Sequence, residues 1–349
     1  MTEAIDAGPM TASQAIEGGW VDEVIFPTDF KKVVQKDHFS ITDFDDSSGM
    51  VSDNQSGWEQ PDSVAVITVS GPIVSGKSSR ANFLGGGNAG AATISAALRS
   101  LKKRDEVKAV VLRVDSPGGS ASASEDIWKA VTEVQESGRP VVVSMGGVAA
   151  SGGYYVAASA DAILAEPTTI TGSIGAFAGR FTFQNLYEKL GVTTELSGRG
   201  RMANMFSISK PMDPMEWERF DALAQDVYRR FVEKVAEGRG MSVEEVEAVA
   251  SGRVWSGEDA LEQGLIDQLG GFEEAITLAA EKAEMEPGYR TISIGMDLKE
   301  DLKDEIIRNL GVKSDISESL PAPLLDMMRY EWLLNEHLFM MLPYQMTVY

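Results

Sequence analysis

The stretch that decides the fold runs from Val141 to Gly175. It reads Val141-Val-Val-Ser-Met-Gly-Gly-Val-Ala-Ala150, then Ser151-Gly-Gly-Tyr-Tyr155, an alanine-rich passage to Ala165, and Glu166-Pro-Thr-Thr-Ile-Thr-Gly-Ser-Ile-Gly175. An apolar β-branched run that breaks into Gly146-Gly147, followed at once by small residues, predicts a buried strand entering a tight turn and then a helix. Ser151 stands at that junction. Glycines on both sides let the backbone bend sharply and another chain approach closely, while amides at a helix start have no intrahelical partner and suit a developing negative charge. That is a position suited to a nucleophile. The same fragment also fits a plain close-packed turn in which Ser151 is only a helix cap.

A second stretch shifts the balance toward chemistry. Val107-Lys-Ala-Val-Val-Leu-Arg-Val-Asp-Ser-Pro-Gly-Gly119 is again a buried strand closing in a glycine turn. Two such strand ends, Gly118-Gly119 and Ser151-Gly152, would set backbone amides beside a hydroxyl, which acyl transfer needs for an oxyanion hole next to its nucleophile.

From about Ser63 to Glu281 the chain resembles the signal peptide peptidase A family, membrane-associated serine peptidases of the Clp protease and crotonase superfamily. Four motifs carry the resemblance: Asp115-Ser-Pro-Gly-Gly119, Ser144-Met-Gly-Gly-Val-Ala-Ala-Ser-Gly-Gly-Tyr154, Thr169-Ile-Thr-Gly-Ser-Ile-Gly175 and Gly252-Arg-Val-Trp-Ser-Gly257. They occur in order at family-like spacing. The resemblance implies an α/β fold, a Clp protease/crotonase-like spiral of β-β-α units with a parallel sheet, followed by C-terminal helices. The alternation of apolar runs with helical patterns independently indicates parallel strands joined by right-handed crossovers.

Bulk properties bound the function. At 349 residues and 43% hydrophobic content the chain can fill a substantial core. A formal net charge of -22 argues against nucleic acid, whose phosphates need Lys and Arg partners. The absence of cysteine excludes thiol catalysis, disulfides and cysteine-ligated zinc, and nothing implies a metal or other cofactor. No window approaches the roughly 20 apolar residues of a membrane span, so membrane association would run through a region outside this chain. Only His38 and His337 are available, both outside the motifs, which disfavours a Ser-His-Asp triad.

Residues 10 to 24 echo residues 255 to 269. Thr11-Ala-Ser-Gln-Ala-Ile-Glu-Gly-Gly-Trp-Val-Asp22 aligns without gaps on Ser256-Gly-Glu-Asp-Ala-Leu-Glu-Gln-Gly-Leu-Ile-Asp267, with Ala15, Glu17, Gly19 and Asp22 matching Ala260, Glu262, Gly264 and Asp267. In the long form of the resembled family two similar domains are fused in tandem and the second closes with this segment. The expected organisation is therefore a remnant of a preceding peptidase domain at 1–30, a linker at 31–62, a peptidase domain at 63–284 and an extension at 285–349. The linker region from His38 to Pro61 is rich in Asp, Ser and Gly without sustained periodicity. Gly85-Gly-Gly-Asn-Ala-Gly90 lacks the Gly-Lys-Ser/Thr close of a phosphate cradle and reads as a surface loop. Helices are expected over 91–104, 124–137 and 213–236, and a short strand over 193–196.

A serine hydroxyl must lose its proton to attack an amide. With histidine disfavoured, a desolvated lysine is the natural base. The resembled family uses a Ser-Lys dyad, yet Arg201 in Ser197-Gly-Arg-Gly-Arg201 stands where its short members carry the lysine, and arginine stays protonated. The long form explains this departure, because there the first domain lends the lysine to the serine of the second. Lys77 and Lys210 are the in-chain alternatives, each also fitting an ordinary surface lysine. The resemblance assigns Ser151 as nucleophile, the amides of Gly119 and Gly152 as oxyanion donors with Gly118 as substitute if the turn is offset, and Ser173 as the accessory serine bonded to the lysine. Arg113 and Asp115, flanking the turn, read as structural.

On this reading the chain is a serine endopeptidase acting on cleaved signal peptides and other hydrophobic peptides, bound as an added strand at a sheet edge. It would work in a ring-like homo-oligomer at the periplasmic face of a bacterial inner membrane. Two alternatives remain: a catalytically silent peptide-binding or assembly subunit, motivated by Arg201, and a crotonase-type acyl-CoA enzyme, which leaves Ser151 and Thr171-Gly-Ser-Ile-Gly175 unexplained.

Overall fold

The computed structural model describes residues 8–26, 29, 61–79, 87–294 and 338–341. They fall into two compact units, one of residues 1–60 and 182–219, the other of residues 61–181 and 220–349.

In the first unit, α1 (Ala12–Glu17) is closed by a capping box in which the Thr11 hydroxyl accepts from the Gln14 amide and the Gln14 side chain accepts from the Thr11 amide. The larger unit starts with β1 (Ser63–Ser70), β2 (Ile73–Val74) and β3 (Ala89–Gly90) leading into α2 (Ala91–Leu101). A second round comes next: β4 (Val107–Ser116), β5 (Gly118–Ser120) and α3 (Ala121–Glu136). The third begins with β6 (Val141–Ala150) and α4 (Gly152–Ala157), then β7 (Ala162–Ala165), β8 (Ile170–Gly172) and β9 (Phe177–Ala178). The second round is a strand-strand-helix unit of the expected kind; the first carries the extra short strand β3, and in the third a helix follows β6 directly.

The main sheet has the order β10-β8-β6-β4-β1-β12, where β10 is Val254–Ser256 and β12 is Arg290–Ser293. β7 pairs with the first half of β6, and β11 (Gln268–Leu269) pairs with β7. All pairs are parallel except β10 with β8. β1 and β4 read as near-continuous apolar runs because strands in a covered parallel sheet are buried on both faces. Alternation places Val64, Val66, Ala109, Val111 and Val142 together against Ala275, Ala279 and Ala280 of α9 (Phe272–Lys282). Each fully buried valine or leucine in this layer contributes roughly 1.5–3 kcal/mol.

At Pro117 the chain leaves the main sheet. β4 ends at Ser116, and β5 joins a second sheet of order β3-β2-β5-β13-β9, in which β13 is Leu338–Met341. Gly118 makes the change possible through φ 96, a backbone region that L side chains rarely adopt.

The helices differ from the sequence reading mainly at their ends. α3 starts three residues early because the Ser120 hydroxyl caps it by accepting from the Ala123 amide. α6 (Pro214–Arg239) runs one turn longer than expected, and α7 (Val243–Val249) is closed by a capping box of Ser242 and Glu245. Residues 193–196 do not form a strand; they are exposed, in the unit none of whose described residues joins either sheet. A β-branched pair without a neighbouring strand to receive its hydrogen bonds has nothing to hold it extended. That unit instead holds α5 (Gln184–Lys189) and the start of α6, where the Glu216 carboxylate accepts from the Asp213 amide and Asp213 accepts from the Glu216 amide.

The echoed segments share one local structure. α8 (Gly257–Glu262) has the Ser256 hydroxyl accepting from the Asp259 amide, Gly264 at φ 72, and Leu265 bonding back to the Ala260 carbonyl at 2.8 Å. α1 matches it: Gly19 has φ 66 and Trp20 bonds back to Ala15 at 2.8 Å. Their surroundings diverge, since Leu265 is buried while Trp20 is exposed. Most of the expected linker, the first part of the glycine loop, His38, His337 and the extension beyond residue 294 apart from Leu338–Met341 lie outside the described residues. Among the described residues no helix is long and apolar enough to cross a membrane.

Candidate active site

Ser151 occupies the junction between β6 and α4 with φ 53 and ψ -117, a conformation that costs a non-glycine residue energy. Its amide donates to the Gly172 carbonyl at 2.8 Å and its carbonyl accepts from the Tyr155 amide at 2.8 Å, so both sides of the turn are tied down. The residue is 1% exposed, and its hydroxyl caps no helix amide. A strained strand-to-helix turn that does not spend its hydroxyl on capping is the geometry of a nucleophile elbow. The plain-cap alternative does not describe this turn.

The glycines around it serve close approach. A methyl on Gly152 would come 2.6 Å from the Ser124 hydroxyl, and one on Gly153 would come 2.6 Å from the Ser116 carbonyl oxygen. Gly118 lies across from Gly152: a methyl there would come 2.6 Å from the Gly152 amide nitrogen. Gly119 packs the other way, against β2, where a methyl would come 2.0 Å from the Ile73 carbonyl oxygen. The Gly118 amide donates to the Ser116 hydroxyl at 3.1 Å. The glycine turn and the Ser151–Gly152 turn are thus brought together, with Gly118 the member nearest Gly152.

Ser173 belongs to the same constellation. β6 and β8 run parallel with Ala150 opposite Gly172, so Ser151 and Ser173 are the next residues on adjacent strands. Ser173 has φ 48, is 2% exposed, and donates its amide to the Arg253 carbonyl at 2.7 Å. Threonines hold the two strands in step: the Thr171 hydroxyl donates to the Ala149 carbonyl at 2.7 Å and Thr169 to the Gly146 carbonyl at 2.8 Å. Sequence reasoning assigns neither threonine a role, although both lie inside the Thr169–Gly175 motif.

Arg113 and Asp115 are structural. Arg113 donates to the Ser144 hydroxyl at 2.7 Å and to the Met145 carbonyl at 2.9 Å, while Asp115 accepts from the Val148 amide at 3.1 Å. They pin β4 to β6 where the register shifts. Beneath the turn, the buried Tyr154 donates to the Leu265 carbonyl at 2.7 Å and Tyr155 donates to Glu125. Burial pushes both phenols above the ordinary tyrosine range, the Glu125 charge adding to the effect at Tyr155, so neither can act as a base at neutral pH.

None of the lysines considered from the sequence stands out as a base. Lys77 is exposed. Lys210 lies in the other unit with its Nζ 2.6 Å from both carboxylate oxygens of Glu216, and Arg201 lies in that unit as well. Lys102, Lys108 and Lys234 are engaged with Glu133, Asp62 and the Trp128 ring respectively. Among the described residues no group of three or more His, Cys, Asp and Glu could hold a metal ion.

Comparison with known proteins identifies the family. The family model described as peptidase family S49 matches residues 133–286, and that of Clp protease matches residues 82–169. Protease 4 of Haemophilus influenzae is 40% identical over 240 residues, 69% of this chain and 38% of that protein. Protease 4 of Salmonella typhi is 34% identical over 325 residues, 91% of this chain and 51% of that protein. The chain therefore spans about half or less of the length of these relatives. A protease-named protein of Synechocystis is 35% identical over 255 residues, 72% of this chain and 84% of that protein. With strained Ser151 set between two glycine turns, and with relatives matched across the motif region, the chain belongs to peptidase family S49, the signal peptide peptidase A family, and has its Clp protease-like α/β fold.

Proposed function

We propose that this chain carries the nucleophile half of a Ser-Lys serine endopeptidase that hydrolyses cleaved signal peptides and other hydrophobic peptides. The observation that carries this reading is Ser151, nearly buried at φ 53 on a strand-to-helix turn, with Gly118 lying against the Gly152 amide. The two relatives named Protease 4 point the same way. In the reaction the Ser151 oxygen attacks the peptide carbonyl while a base takes its proton. The Gly152 amide and one from the Gly118–Gly119 turn receive the charge on the tetrahedral oxygen. Removing a donor of this kind costs roughly 100- to 1000-fold in rate.

The base is a lysine lent by a preceding domain or a neighbouring subunit, and Ser173 orients it from the adjacent strand end. The length of the relatives supports this source, since they extend well beyond the matched region. The enzyme would assemble as a ring-like homo-oligomer at the periplasmic face of the inner membrane. Arg201 favours a second reading, a silent peptide-binding subunit, because arginine cannot accept the proton.

A fluorophosphonate probe applied to the complete gene product separates the two. The peptidase reading expects labelling at Ser151 that disappears in Ser151→Ala, whereas a properly folded protein that never labels is the silent subunit.

A further inference from the structure

β13 occupies an unusual place. Leu338–Met341 is inserted between β5 and β9 and runs antiparallel to both, with Phe339 opposite Ser120 and Phe177, Met340 opposite Gly119, and Met341 opposite Gly118. It is the strand that joins the glycine turn of the site to the segment after Ser173. The Met340 carbonyl oxygen lies against both glycines of the site: a methyl on Gly118 would come 2.0 Å from it and a methyl on Gly152 2.8 Å. The Met340 residue itself is 1% exposed, so its unbranched apolar side chain is received in the protein.

We propose that Leu338–Met341 is a tethered peptide filling the chain's own substrate strand, with Met340 in the position of the residue whose carbonyl is offered to Ser151. This rests on the peptidase reading above. An extended peptide added to an exposed sheet edge gains main-chain hydrogen bonds, and pockets for its side chains supply selectivity. The segment is uncharged and apolar, the chemistry expected of the substrates. A segment of the same chain presents itself at an effective concentration on the order of millimolar, so an external peptide must displace it before it can bind. The groove is thereby closed to weak or dilute substrates, and the residue preferred next to the scissile bond is a long, unbranched apolar one.

The test uses the whole chain carrying Ser151→Ala, which prevents turnover, and a fluorescent octapeptide containing Leu-Phe-Met-Met read by anisotropy. Adding Met340→Glu, which puts a charge at a buried position, should release the segment and tighten octapeptide binding at least about tenfold. Equal affinity with and without Met340→Glu, or no binding to either, overturns the proposal. A second measurement needs no substitution at Met340: amide hydrogen exchange at residues 339–341 should be slow and should accelerate when the octapeptide saturates the groove, and fast exchange without peptide overturns the proposal. Fluorophosphonate labelling of the complete gene product carrying Met340→Glu keeps the two readings apart. Labelled Ser151 with unchanged peptide affinity sinks the tether alone, while a displaceable segment beside a Ser151 that never labels sinks the peptidase reading alone.

Discussion

Ser151 and Ser173 are two versions of one backbone event. Each comes after a parallel strand at the Ala150–Gly172 register, each has a positive φ, 53 and 48, and each is almost fully buried with its amide bonded to a carbonyl. The two turns differ in their next residues. Ser151 runs into Gly152 and Gly153 at the start of α4, facing Gly118, whereas Ser173 runs into Ile174 and Gly175, the latter packed so closely that a methyl on it would come 3.0 Å from Gly252. Strain of this kind costs about 1–3 kcal/mol and persists only where the surroundings enforce it. Both serines have a positive φ, and what distinguishes the two turns is the residues that follow them.

The largest expected effect breaks the symmetry between the two serines. Ser151→Ala should lower peptide hydrolysis about a thousandfold or more with the urea midpoint nearly unchanged, since removing a nucleophile removes the covalent route. Ser173→Ala should cost less, about 10- to 100-fold, and should displace the acidic limb of the pH–rate profile, because the base acts only unprotonated and titrates differently once it loses its orienting partner. A simple loss of rate with an unmoved profile would reduce Ser173 to a turn residue.

Substituting glycine asks the opposite question, whether the strain is equal. Ser151→Gly and Ser173→Gly should each raise stability by about 0.5–1 kcal/mol, relief of positive φ outweighing the added freedom of the unfolded chain. Unequal gains in denaturant melts would show that one turn is held by its neighbours more tightly than the other.

The smallest effect is a control remote from both turns. Burial alone would raise the Glu133 carboxyl, but Arg99 and Lys102 bonded to it hold it below the usual glutamate range. Its contribution is therefore present above the unfolded value of about 4.3 and is lost as pH falls through the lower folded value. Glu133→Gln should remove about 1 kcal/mol or less of that acid sensitivity and do so identically in either serine variant, as acid-titrated melts would read.

Much of this was legible because the relevant signals are local. The β-branched runs at 107–114 and 141–145 and the glycine pairs that end them each act within a few residues of chain. So did the echo between residues 11–22 and 256–267, which fold alike down to the left-handed glycine. Burial did not come with the echo: Arg239 clamps Asp267 through both carboxylate oxygens, at 3.0 and 2.8 Å, and Asp267 in turn accepts from the Ile163 amide. Asp22 sits on an exposed copy of the same turn.

The amino-acid sequence by itself determined the strand-and-helix alternation, the glycine turns and the serine at their junction, because backbone freedom and side-chain periodicity are properties of short stretches. Only the tertiary structure decided that Gly118 lies nearest Gly152 while Gly119 turns to Ile73, that Ser173 falls level with Ser151, that residues 193–196 remain outside any sheet, and that Met340 comes to rest against the site from about 190 residues away. Register between strands and the arrival of a distant segment are set by which hydrogen-bonding edges meet, and no local window contains both edges.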